Sequence, residues 1–95
     1  ITENGVHVYK GILYAAPPVG DLRWRPPQAV QPWQGVRDAT HYASQCAQNA
    51  DLGVFAKAGG SEDCLYLNVF APADAKPGDN LPVLVWVHGG ALKLP

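Results

Sequence analysis

The chain has 95 residues, a net charge of −1 and no run of Lys or Arg, which excludes the basic footprint that nucleic acid or an anionic membrane surface requires. Its length allows one small core and not two. Its longest apolar runs are strand-sized, well below the roughly 20 residues of a spanning helix, and it shows no basic n-region followed by an apolar stretch. Position 1 is Ile, Met is absent throughout and Pro95 closes the sequence soon after an apolar run. Both ends therefore read as cut, and the chain reads as a piece of a longer protein.

Residues 6–9 alternate apolar and polar with β-branched side chains, the period of a half-buried strand, and Gly11 separates them from a second short run over 12–15. Two short strands with a bulge or bend between them are expected. The stretch PPVGDLRWRPP holds Pro17, Pro18, Pro26 and Pro27, which fix φ near −65° and cannot donate to a ladder, so it is expected to be irregular. Residues 30–37, around Trp33, read as a short strand or turn. Residues 40–60 read as a loop with one helical turn near 52–57. The strongest elements are CLYLNVFAP and LPVLVWVHGG, rich in β-formers and bounded by Pro or Gly, with the polar turn region ADAKPGDN between them. Residues 83–87 are apolar on both faces, the pattern of a central strand covered on both sides. The sequence shows almost no helix pattern to provide that cover. No internal repeat and no low-complexity segment is present.

Two stretches carry more than local structure. SEDCLYLNVFAP is, on physical grounds, a strand entered through a cysteine and two acids. In its full wording, however, Glu62 to Pro72 resembles, position for position, the second signature of the type-B carboxylesterase and lipase family, which includes the cholinesterases. YKGILYAAPPVGDLRWRPP is similar to that family's early segment, with Tyr9 where Phe is usual and Leu13 where Pro is usual; both changes keep an apolar or aromatic body. The resemblance runs from about Gly5 to Ala91. It implies an α/β fold in which these residues are the N-terminal strands of an α/β-hydrolase sheet, by themselves mostly β and loop. Residues 1–95 would then form the N-terminal part of a single hydrolase domain, incomplete at both ends.

By the same resemblance HGGA, from His88 to Ala91, looks like the HGGG-type turn that contributes backbone N–H groups to an oxyanion hole. Gly90 and Ala91 would supply the donors and Gly89 the turn. Small residues are needed there because donors and substrate must meet at hydrogen-bond distance, and one donor is worth ~3 to 4 kcal/mol in the transition state. Taken alone, an HGG would be only a turn ending a strand. Here Leu92, Lys93, Leu94 and Pro95 follow, where the family has Phe and then Gly. His88 is expected to orient the turn rather than act as a base, and His7 and His41 read as isolated loop histidines.

Cys46 and Cys64 bracket residues 47–63. By themselves they are as compatible with reduced, buried thiols as with a bridge. The resemblance implies a disulfide, worth on the order of 3 kcal/mol for a loop of this size, and with it a secreted or periplasmic compartment. The corresponding cholinesterase loop carries a tryptophan that stacks on quaternary ammonium; here the loop's only aromatic is Phe55, so a choline-type site is not supported. The resemblance also implies a buried structural salt bridge between Arg23 and Glu62, whose disruption would cost ~3 to 5 kcal/mol.

The implied activity is hydrolysis of a small-molecule carboxylic ester by the full-length enzyme, through a Ser-His-acid triad and an acyl-enzyme. The triad is not in these residues: the only serines are Ser44 and Ser61, and neither sits in a G-x-S-x-G elbow. The expected partner is the remainder of the same hydrolase domain. No cofactor, metal, nucleic acid or membrane span is expected. Two other readings are a non-catalytic, cholinesterase-like binding or adhesion protein, distinguished by its nucleophile elbow, and a free-standing small β domain.

Overall fold

The computed structural model describes residues 1–50, 53–55 and 57–90. Three strands, β1 (Thr2–Glu3), β2 (Val6–Leu13) and β3 (Tyr66–Pro72), form one antiparallel sheet in the order β1-β2-β3. The rest is loop with two short 3-10 turns, Gly20–Leu22 and Gly53–Phe55.

β1 has no counterpart in the sequence reading, which begins the sheet at Val6. It exists because Asn4 and Gly5 both adopt positive φ, +48° and +76°, the requirement of a two-residue type I′ turn. That turn pairs Thr2 with His7 and Glu3 with Val6, and Val8 N donates to Ile1 O at 2.8 Å. An Asn-Gly step before an alternating run is a hairpin signal in its own right.

β2 is one strand with an irregularity rather than two strands. The register against β3 shifts between Tyr9 and Ile12, where Gly11 adopts φ +70°. Two amides in the irregular stretch are satisfied elsewhere: Lys10 N donates to Ala39 O at 2.8 Å, and Gly11 N to Asn68 Oδ1 at 3.0 Å. A Cβ at Gly11 would lie 2.8 Å from His41 O, so the absence of one lets the 39–43 loop close on the sheet.

β3 lies where the sequence places it. After it the backbone turns through Ala75 N to Pro72 O and Lys76 N to Asp79 Oδ2, at 3.1 and 2.8 Å, within the expected polar turn region. The proline-rich stretch is irregular as expected, with a 3-10 turn inside it. Residues 30–37 form no strand and bend at Gly35. The helical turn expected near 52–57 is met by Gly53–Phe55; positions 51, 52 and 56 lie outside the described residues.

Residues 83–87 differ most from expectation. They pair with no strand among the described residues, and Val83, Leu84, Val85, Trp86 and Val87 are 78 to 91% exposed. An apolar run encodes a strand's tendency to be buried, but the ladder itself needs a neighbouring backbone. The surface agrees. The accessible area is 7938 Å² for 10.1 kDa, against about 5,300 Å² for a folded protein of that mass. The radius of gyration is 15.9 Å, against about 12 Å for a compact domain of this length. Only Val8 and Ala15, 3% and 4% exposed, form the buried apolar core among the described residues. The one small core that length permits is not closed by these residues.

Candidate functional site

Residues 88–90 end the apolar run. Gly90 takes φ +126°, a backbone conformation that L side chains rarely adopt. Nothing lies within 4 Å of where a Cβ on Gly89 would stand. The amides of Gly89 and Gly90 donate to no acceptor among the described residues. His88 bends back on its own turn, with Nδ1 2.7 Å from Gly89 O, a contact in which Nδ1 must donate. Ala91 and the four residues after it lie outside the described residues.

His88 shares a cleft of about 300 Å³ with Tyr42, Ser44, Cys46, Cys64, Tyr66 and Asn68. The structure thus places the His88 turn and the two cysteines around one space. Cys64, Tyr66 and Asn68 are spaced by two along the strand and its entry, the period that puts side chains on one face. That spacing is readable in the sequence, where Tyr66 and Asn68 otherwise read only as strand residues.

Cys46 and Cys64 are bonded, with Cα atoms 5.0 Å apart. The bridged loop is stitched by paired bonds between Gln48 and Gly59 at 2.9 and 3.0 Å, by Ala47 N to Ser61 O, and by Ser61 N to Gln45 O. Gln45 and Gln48 both donate Nε2 to Lys57 O, at 3.1 and 2.8 Å. Gly60 sits at φ +93° so close to Cys46 that an added Cβ would overlap its backbone carbonyl. The bridge and the glycine together bring the two loop ends side by side.

The two acids before Cys64 are both engaged structurally. Glu62 receives Arg23 Nε and Nη2 at 2.6 Å each. The hydrogen bond and charge of Arg23 hold the Glu62 carboxyl below the usual range, and Glu62 raises Arg23 in turn. The pair forms, and among these residues its side chains are 53% and 44% exposed. Asp63 Oδ1 accepts from the Tyr66 hydroxyl at 2.9 Å, and that bond pushes the Tyr66 phenol up.

One other cluster resembles catalytic machinery. Thr40 Oγ1 lies 2.8 Å from His41 Nδ1 and 2.6 Å from Asp38 Oδ1. Asp38 also lies 3.7 Å from the same ring nitrogen. In a triad the hydroxyl and the acid occupy opposite ring nitrogens; here both meet Nδ1, so no proton can be relayed through the ring. Asp38 is held below the usual carboxylate range, chiefly by the Thr40 hydroxyl, which describes a loop turn. Ser44 Oγ donates to Gln45 O and Ser61 Oγ accepts from Asp63 N. Among the described residues no cluster of His, Cys, Asp or Glu could hold a metal ion, and no helix is long and apolar enough to cross a membrane.

The chain matches the model of the Carboxylesterase family over residues 1–94. It is 53% identical to the para-nitrobenzyl esterase of Bacillus subtilis, covering 98% of this chain and 19% of that protein. It is 50% identical to the acylcarnitine hydrolase of Mus musculus, covering 96% and 18%. Among solved structures it superimposes on a thermophilic PNB esterase with a TM-score of 0.86 at 51% identity, over 100% of this chain and 20% of that one. A carboxylesterase of Geobacillus stearothermophilus gives 0.85 at 41%, over 100% and 18%. The chain thus spans about a fifth of the length of the curated relatives it matches.

Proposed function

Because the chain belongs to the carboxylesterase family, we propose that it is the N-terminal part of a single α/β-hydrolase domain, whose whole cleaves small-molecule carboxylic esters. The observation that carries the reading is the turn at residues 88–90 beside the Cys46–Cys64 cleft, whose Gly89 and Gly90 amides have no acceptor among the described residues. In the whole domain Gly90 N and Ala91 N donate to the developing alkoxide and Gly89 gives the turn its room. Such donors act where charge appears, so they lower the barrier more than they tighten substrate binding. The nucleophile, base and acid come from elsewhere in the domain, and the remainder of that domain is this chain's partner.

The disulfide supports a secreted or periplasmic location, since such bonds persist in oxidising compartments. Relatives named for acylcarnitine and para-nitrobenzyl substrates make small esters the substrate class to assay first. The test is p-nitrophenyl acetate turnover by the full-length protein, with and without a serine-directed organophosphate. Turnover that the reagent abolishes is the expected result. A folded full-length protein with no turnover on a panel of small esters overturns the reading in favour of a non-catalytic binding homologue.

A further inference from the structure

The turn between β1 and β2 has chemistry of its own. Asn4 is the only one of the four asparagines in the sequence that is followed by glycine; Asn49, Asn68 and Asn80 precede Ala50, Val69 and Leu81. Both turn residues are exposed, and nothing lies within 4 Å of where a Cβ on Gly5 would stand. Asn68, by contrast, holds its Oδ1 on Gly11 N.

We propose that Asn4 is a site of spontaneous, water-dependent modification that unfastens the N-terminal hairpin. The Gly5 backbone nitrogen, losing its proton, attacks Asn4 Cγ. A new bond forms between that nitrogen and Cγ, the Cγ–Nδ2 bond breaks, and Nδ2 leaves as ammonia, giving a five-membered succinimide. Water then opens the ring at either carbonyl, to aspartate or to isoaspartate. No oxidant or further reactant is needed. The reacting atoms belong to adjacent residues, so the step is intramolecular, and the lack of a Cβ on Gly5 leaves its nitrogen unobstructed.

The two products differ structurally. Asp-Gly still suits a type I′ turn. Isoaspartate routes the backbone through an extra carbon, and a two-residue loop cannot absorb that without losing the pairing on either side. The bonds at stake are Val8 N to Ile1 O at 2.8 Å, Thr2 Oγ1 to His7 Nδ1 at 2.7 Å, and Ala73 N to Gly5 O at 2.9 Å. Val8 is one of the two buried apolar residues among those described, so the change strikes beside the core.

The experiment ages the full-length protein in mildly alkaline buffer and follows two signals. Peptide mass mapping with isoaspartyl-specific enzymatic labelling reads the chemistry, and hydrogen exchange at Val8 reads the hairpin. Conversion at Asn4 is expected to outpace each of the other three asparagines by about tenfold or more, with Val8 protection falling as isoaspartate accumulates. Asn4→Gly preserves the turn type, since Gly-Gly also suits I′, and is expected to keep Val8 protection over the same period. Conversion at Asn4 no faster than at Asn80 overturns the site assignment. Equal loss of protection in Asn4→Gly overturns the claim that modification causes the unfastening.

Discussion

Arg23 grips Glu62 through two parallel hydrogen bonds of 2.6 Å, tying the proline-rich segment to the acid two residues before Cys64. The fork fixes orientation as well as distance, which a lysine at position 23 could not do. A carboxyl held below its usual value contributes stability that is present above the unfolded-state pKa and is lost as pH falls through the folded one. Glu62 is therefore expected to titrate below an ordinary glutamate by NMR, and Arg23→Gln to return it to the usual range. A wild-type midpoint at or above the ordinary value would remove the fork as a feature of the solution structure.

Peptide mapping of the full-length protein without reductant is expected to recover the Cys46 and Cys64 peptides linked. Replacing both cysteines by alanine is expected to lower unfolding stability by about 3 kcal/mol. Free thiols at both positions in protein from an oxidising compartment would count against the bridge.

Gly11→Ala tests the close approach at the β2 irregularity. The new Cβ would meet His41 O, and the backbone would remain at φ +70°. Denaturant melts of the full-length protein are expected to show a loss of about 1 to 3 kcal/mol. No change in midpoint would mean that the 39–43 loop sits further from the sheet than described.

If the proposed ester hydrolysis holds for the full-length protein, Gly90→Val in the turn at residues 88–90 is expected to reduce its kcat by ~100-fold or more, with a smaller change in KM. The valine methyl groups would crowd the backbone and displace it from φ +126°. A kcat within a few-fold of the parent would remove this turn from the oxyanion site.

Studied as an isolated 95-residue polypeptide, the protein is expected to aggregate and to leave p-nitrophenyl acetate untouched. Exposed apolar residues with unpaired backbone favour association between molecules, and residues 83–87 are of this kind. A monomer with strongly protected amides across 83–87 would contradict this.

How far the sequence can be read depends on how local each feature is. β3 and the polar turn after it announce themselves in the residues that form them, and so does the irregular proline-rich stretch. The β1–β2 hairpin is equally local; its signal is the Asn4-Gly5 step, which the alternating run after it overshadows. Residues 83–87 show the opposite limit, because composition records a preference for burial and a ladder requires a second strand. The Gly11 to Asn68 bond joins positions with no shared pattern, so periodicity cannot announce it. The pairing of Arg23 with Glu62 is expected only through the family resemblance, because no local pattern links positions so far apart. Tyr66 on Asp63 emerges only in three dimensions, where the motif's wording hides a hydrogen bond.

β2 pairs on one side with residues a few positions away, Thr2 and Glu3, and on the other with positions 66–72. This asymmetry sets a folding clock with two hands. The hairpin on the near side closes through a two-residue loop, an event of roughly 1 to 10 μs. Pairing with β3 must first bring together the ends of a segment that holds both the proline-rich stretch and the bridged loop, and such non-local closure is slow. Until β3 arrives, β2 therefore has a partner strand on one edge only. Cys46 joined to Cys64 takes residues 47–63 out of that path, so the loop that must close for β3 to meet β2 is shorter in the oxidised chain.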